Sequence, residues 1–207
     1  MSIRSLCRRA RASLSLSSQI VSCFALALLV VGCSAPSHKF NAIDITGADY
    51  ARDFRLNAAD GGTRTLADFR GKVVLLFFGF TQCPDVCPTA LSRAAEAKKL
   101  LGTDGEKLQA IFVTVDPERD LPVVLREYTH AFDASFVGLY SDVETTRKTA
   151  DAFRIFYAKV PTGASYTMDH TATSYVYDTR GQLRLAVRHT DTAAQLAADV
   201  RTLLNQK

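Results

Sequence analysis

Gly71-Lys72-Val73-Val74-Leu75-Leu76-Phe77-Phe78-Gly79-Phe80-Thr81-Gln82-Cys83-Pro84-Asp85-Val86-Cys87-Pro88-Thr89-Ala90-Leu91 is an apolar run, a short cysteine-bearing loop and the start of a helical pattern. The run Lys72–Phe80 is rich in Val, Leu and Phe and almost unbroken. It reads as a strand buried on both faces, as in parallel sheets covered by helices. From Pro88 to Leu101, Ala and Leu recur at helical spacing, with Pro near the start, lysines in the last turn and Gly102 after it. Those are start and stop signals of a helix. The two cysteines lie where the strand gives way to the helix. Ligands in open α/β sheets gather at such carboxyl ends of strands. Cys87 falls at or just before the helix start, where free N–H groups and the helix dipole favour a thiolate. Pro84 and Pro88 stiffen both flanks.

Outward from this stretch the pattern stays alternating. Phe54–Leu56 and Thr63–Leu66 flank Asn57-Ala-Ala-Asp-Gly-Gly62, a hairpin with a glycine turn. Leu108–Val115 is a second buried strand, ending at Asp116-Pro117. Pro122–Phe132 and Val143–Val160 read as amphipathic helices. Tyr166–Tyr177 and Gln182–Arg188 read as a hairpin around Asp178-Thr-Arg-Gly181, and Thr192–Leu204 as a terminal helix with Asp191 as its N-cap. The order is hairpin, βαβ, helices, hairpin, helix. It predicts an α/β fold of thioredoxin-like type, a mixed central sheet with helices on both faces and an added N-terminal β-hairpin.

The chain has 207 residues, enough for one domain and a short extra segment. Residues 1–32 carry Arg4, Arg8, Arg9 and Arg11 and no acid. Of 25 basic residues those four are the whole excess over the 21 acidic ones, so the net charge of +4 belongs to the leader. That distribution argues against a nucleic-acid partner. The arginines precede the apolar run Ile20–Val31, shorter than the roughly 20 residues that span a bilayer. A secretory signal is the better reading. It ends in Val30-Val31-Gly32-Cys33, which is similar to a bacterial lipobox with Cys33 as the lipidated first residue. The expected division is a lipoprotein signal peptide over 1–32, a lipidated tether over 33–42 and one folded domain over 43–207.

Cys7 and Cys23 leave with such a signal and Cys33 is consumed by lipid, so Cys83 and Cys87 remain as thiols. They would face a compartment that permits disulfides. A Cys-x-x-Cys loop reads as an oxidoreductase. Here Cys-x-x-x-Cys is wider, which leaves redox chemistry open and makes room for a metal ion. Cu(I) prefers thiolates, and imidazole suits both copper states. Of the four histidines, His38 lies in the tether, His130 on a helix surface and His189 at a strand end. His170, in Tyr166-Thr-Met-Asp-His170, enters a strand from a loop. Taken alone such a residue is structural more often than ligating, so the pattern leaves its role open.

Phe78–Leu91, the block Val113-Thr-Val-Asp-Pro-Glu-Arg-Asp120 and Tyr166–Tyr177 occur in that order, and together they resemble the Sco/SenC family of cytochrome c oxidase assembly proteins. The resemblance runs from Ile43 to the C-terminal helix. It implies a single copper ion, Cu(I) or Cu(II), held by Cys83, Cys87 and His170, with Cys83 and Cys87 also able to form a redox disulfide. It implies a metallochaperone, not a turnover enzyme, whose partner is oxidase subunit II or another copper acceptor. The alternative is a thiol–disulfide oxidoreductase acting on cysteines of that subunit or of other exported proteins. A Zn²⁺ site with the same ligands is chemically possible. The location that follows is a bacterial lipoprotein held to the membrane and facing the periplasm, with the inner membrane favoured.

Asp116 and Met168 are secondary candidates. Asp116 ends a core strand beside the site, where it either orients a ligand or caps a turn before Pro117. Met168 shares a strand face with His170, either as core packing or as a weak thioether contact to Cu(I). Asp169 points to the opposite side. Glu118, Arg119 and Asp120 read as a solvated loop with local ion pairs.

Overall fold

A computed structural model of the chain describes residues 39–206. The expected signal peptide, Cys33 and the first part of the tether, through His38, lie outside the described residues. Ten strands are described: β1 (Ile43–Asp44), β2 (Arg55–Ala58), β3 (Thr63–Thr65), β4 (Val73–Gly79), β5 (Leu108–Thr114), β6 (Val137–Tyr140), β7 (Tyr157–Thr162), β8 (Ser165–His170), β9 (Ser174–Tyr177) and β10 (Leu183–Val187). The helices are α1 (Val86–Leu101), α2 (Pro122–His130), α3 (Val143–Ala152) and α4 (Ala193–Leu204).

Eight strands form one mixed sheet in the order β1-β10-β9-β4-β5-β6-β2-β3. β4, β5 and β6 run parallel at its centre, and β9 joins β4 antiparallel. Every residue of β4 and of β5 is buried, as their unbroken apolar runs require. Side chains alternate across β4. Gly79 faces Cys87 of α1 and the Phe112 ring, whereas Phe78 meets Phe153, at the end of α3, edge-on from the other face. Helices therefore cover both faces, and the fold is thioredoxin-like.

Several elements depart from the sequence reading. The helix expected over Val143–Val160 ends at Ala152. Arg154 adopts a left-handed φ of 55°, and the Ile155 N–H reaches back to the Ala150 carbonyl. This is a C-terminal stop usually marked by glycine, so the arginine hid it. Its guanidinium lies 4.2 Å over the Tyr50 ring and pairs with Asp49, contacts between segments distant in sequence. The chain then forms β7, which alternation in Tyr157–Val160 resembles no less than a helical face.

The strand expected over Tyr166–Tyr177 breaks at Thr171–Thr173. Only β9 joins β10 around the Asp178–Gly181 turn, where Gly181 takes a φ of 74° and Asp178 Oδ1 accepts the Arg180 and Gln182 N–H groups. β8 pairs with β7 in a separate two-stranded ribbon. The N-cap of α4 is Thr192, in a capping box with Gln195. Asp191 instead accepts the backbone N–H and the guanidinium of Arg188. β1 and β6 had no sequence signal beyond two and four residues, and each is defined by its neighbours in the sheet.

Candidate metal centre

α1 begins at Val86, two residues earlier than the sequence pattern suggested, so Cys87 sits inside its first turn. Cys83 lies in the preceding loop, its N–H bonded to the Phe80 carbonyl at 3.2 Å. His170 ends β8. The ribbon delivers it to the cysteine loop across 83 residues of chain, with Cys87 Sγ 3.5 Å from His170 Nε2. One ligand atom each from Cys83, Cys87 and His170 lie within 4.8 Å of one another. Among the described residues this is the one group of three or more His, Cys, Asp or Glu so gathered.

The imidazole is held on three sides. Phe77 and Phe80 meet it edge-on, with ring centroids 5.9 and 5.8 Å away. Its Nδ1–H donates to the Thr171 carbonyl at 3.1 Å, a tautomer set by that acceptor. Nε2 is then left with its lone pair toward the sulfurs. Burial lowers the His170 pKa from its usual 6.5, so the ring is neutral and ready to ligate.

Cys87 is fully buried and Cys83 half-buried; both thiols are free. The helix N-terminus was expected to stabilise a thiolate, and at Cys87 it does not prevail. Burial pushes this thiol far up, and the nearby Cys83 and Asp120 push it further, against one favourable contact from the Phe80 backbone. A protonated, desolvated thiol of this kind becomes a good ligand once a cation replaces its proton.

Gly79 is a site residue that the sequence reading passed over. A Cβ there would lie 2.7 Å from Cys87 Sγ and 2.9 Å from the Phe112 ring. The glycine thus leaves space for the sulfur. Its place inside an apolar run was the available signal.

The block Val113–Asp120 proves structural and mostly buried. Asp120, expected in a solvated loop, is buried. Its carboxylate accepts from the Thr81 N–H (3.0 Å), the Thr81 hydroxyl (2.6 Å) and the Thr114 hydroxyl (2.6 Å). It therefore fixes the start of the cysteine loop to the end of β5. Asp116 is also buried, and it accepts from Arg119 Nε at 2.5 Å and from the Tyr166 hydroxyl at 2.9 Å. One local ion pair forms, Asp116 with Arg119, whereas Glu118 pairs with the distant Lys159 of β7. Met168 is buried against the floor of a groove of about 410 Å³ that Val115, Ile155 and Phe156 also line, a core position. Asp169 is exposed, as strand alternation requires. His130 and His189 are exposed and belong to other parts of the surface.

The chemistry of this donor set is soft: two sulfurs and one imidazole on a preformed triangle. Such a set suits copper in either oxidation state. Fold and site together define a thioredoxin-like protein with a Cys-x-x-x-Cys loop faced by a histidine.

Comparison with known proteins agrees. A family model described as SCO1/SenC matches residues 44–205. The chain belongs to the SCO1/SenC family. It is 35% identical over 133 residues to an SCO2-like protein of Rickettsia felis, covering 63% of this chain and 65% of the relative, just under two thirds of its length. Among solved structures it is similar to Bradyrhizobium japonicum ScoI with copper bound (39% identity, TM-score 0.67, 73% of this chain and 97% of the other). It is also similar to apo Sco1 from Thermus thermophilus (40% identity, TM-score 0.71, 81% and 99%).

Proposed function

We propose that this chain binds one copper ion through Cys83, Cys87 and His170 and assists assembly of the copper centre of cytochrome c oxidase. The observation that carries the reading is the triangle of two sulfurs and a ring nitrogen within 4.8 Å, formed by one cysteine loop and a histidine 83 residues beyond Cys87. The copper-bound Bradyrhizobium relative supports the choice of metal. Cys83 and Cys87 supply charge and softness, and His170 supplies a third donor that accommodates Cu(II) as well as Cu(I). A cysteine pair on one loop transfers Cu(I) by exchanging one thiolate at a time with an acceptor's thiolates. In the same reading Cys33 carries a lipid anchor that holds the domain on the periplasmic side of the inner membrane, and the acceptor is oxidase subunit II.

A second reading has one specific observation in its favour. Cys83 and Cys87 are free thiols on one loop whose sulfurs lie within 4.8 Å of each other, as a pair poised for disulfide exchange would be. The test is metal analysis of the folded domain, wild type against His170→Ala, under reducing and oxidising conditions. Copper at one equivalent that falls sharply without His170 supports the metallochaperone. Copper uptake indifferent to His170, with disulfide exchange intact, replaces it by the oxidoreductase.

A further inference from the structure

Arg119 makes contacts that join the two halves of the site. Its Nε donates to Asp116, at the end of β5, at 2.5 Å. Its Nη1 donates to the Tyr166 carbonyl at 2.8 Å and to Gln82 Oε1 at 3.1 Å. Its guanidinium carbon stands 3.7 Å over the Tyr166 ring. Gln82 is the residue before Cys83, and Tyr166 lies on the strand that ends at His170. One planar cation thus touches the cysteine loop, the central sheet and the histidine ribbon. The side chain is only 18% exposed, so these contacts are largely shielded from water.

The ribbon needs such a tie. β7 and β8 pair only with each other and form no ladder with the main sheet. At the His170 end the ribbon closes through Thr171 N–H to the Phe156 carbonyl and Phe156 N–H to the Thr171 hydroxyl. Besides Met168, which packs into the core, the polar contacts along its flank are Arg119, the Tyr166 hydroxyl on Asp116, and the Lys159–Glu118 pair at the surface. Burial and the bond to Asp116 push the Tyr166 phenol up to about 12, so it remains a donor at neutral pH.

We propose that Arg119 is a positioning residue that holds His170 against the cysteine loop, so that the three-ligand triangle is formed before copper arrives. The proposal rests on the copper reading only for its consequence, since the clamp itself exists without metal. A lysine cannot replace the clamp, because a single ammonium neither stacks on Tyr166 nor forks between Asp116, Gln82 and a carbonyl.

The experiment has a metal-free arm and a copper arm. In metal-free protein labelled with ¹⁵N at histidine, NMR of wild type shows His170 as a single Nδ1-protonated tautomer. In Arg119→Lys its ring signals move toward the averaged pattern of the exposed His130 and His189. Backbone amide signals from β4 and α1 check that the fold is intact. If Arg119→Lys does not fold, Tyr166→Leu, which removes the ring beneath the guanidinium, gives the same displacement.

In the copper arm, Arg119→Lys weakens Cu(II) binding about 10- to 100-fold, the range of outer-shell changes at metal sites. The same change made on His170→Ala protein weakens it no further, because Arg119 acts through that histidine. An unchanged His170 ring pattern in the folded variants overturns the proposal. So does an equal affinity loss with and without His170. A ring pattern that shifts as expected in a wild type that takes up no copper upholds the clamp and removes the copper reading instead.

Discussion

The two halves of the metal centre are built differently. The cysteine half is part of the central sheet: β4 leads into it, α1 carries Cys87, and the buried Asp120 ties its loop to β5 through three hydrogen bonds. The histidine half stands on a two-stranded ribbon outside that sheet, joined to it by one core side chain, Met168, and along its flank by polar contacts around Arg119, Asp116 and Tyr166. Apolar burial is distributed over many atoms and is hard to undo at one place. A polar clamp depends on a few geometries. The two thiols are fixed by the fold, whereas the ribbon that carries the third ligand depends in part on a polar clamp as well as on the packing of Met168 and of the imidazole. Of two residues adjacent in sequence, Asp120 anchors the cysteine loop to β5, whereas Arg119 reaches from Asp116 to the histidine ribbon and to Gln82 beside Cys83.

Substitutions at the two halves test this contrast, beginning with the largest effect. Asp120→Ala would strand three donors at the root of the cysteine loop. It should cost about 3 kcal/mol in unfolding free energy, read by urea titration, since each unsatisfied buried group costs about 1–3 kcal/mol. A loss under half of that would mean the cysteine half is not fixed by this carboxylate. Gly79→Ala places a methyl where Cys87 Sγ and Phe112 stand, and overpacking of this kind costs about 1–3 kcal/mol. Because the sulfur must also move, copper affinity should fall along with stability; an unaffected affinity would separate the two.

Tyr166→Phe removes only the hydroxyl bonded to Asp116. A loss of about 1 kcal/mol is expected from one such bond, with the Cu(II) spectrum changed more than the Cu(I) stoichiometry. The reverse pattern would put the ribbon on the same footing as the sheet. The mildest effect is one of pH. Burial holds the folded His170 pKa below its usual 6.5, so between those values the unfolded chain binds the extra proton. Stability of the metal-free protein is therefore complete above about pH 6.5 and declines as pH falls through that window. Thermal unfolding across pH should show this decline in wild type and less of it in His170→Asn.

Much of the fold could be read from the chain because its signals are local. The apolar runs of β4 and β5 and the proline, lysine and glycine punctuation of α1 name their own structures. The reading failed where the signal came from elsewhere. Arg154 ends α3 in a left-handed conformation, with Tyr50 and Asp49, about a hundred residues earlier, packed against it. Thr171–Thr173 divides one apparent strand into two that serve different sheets. Asp120 looked like a solvated acid because its hydroxyl and amide partners lie on two other segments.

The site divides along the same line. Sequence alone established the cysteine pair, since four residues of spacing at a strand-to-helix junction is a local fact. Its three ordered blocks also resemble the family to which the chain belongs. Sequence alone did not establish His170, nor that burial would outweigh the helix dipole at Cys87. Those depend on which groups meet across 83 residues of chain, and only the packed structure, with Phe77 and Phe80 against the imidazole and Thr171 on its Nδ1–H, decides them. Desolvation and ligand geometry are properties of surroundings, and surroundings exist only once the chain has folded.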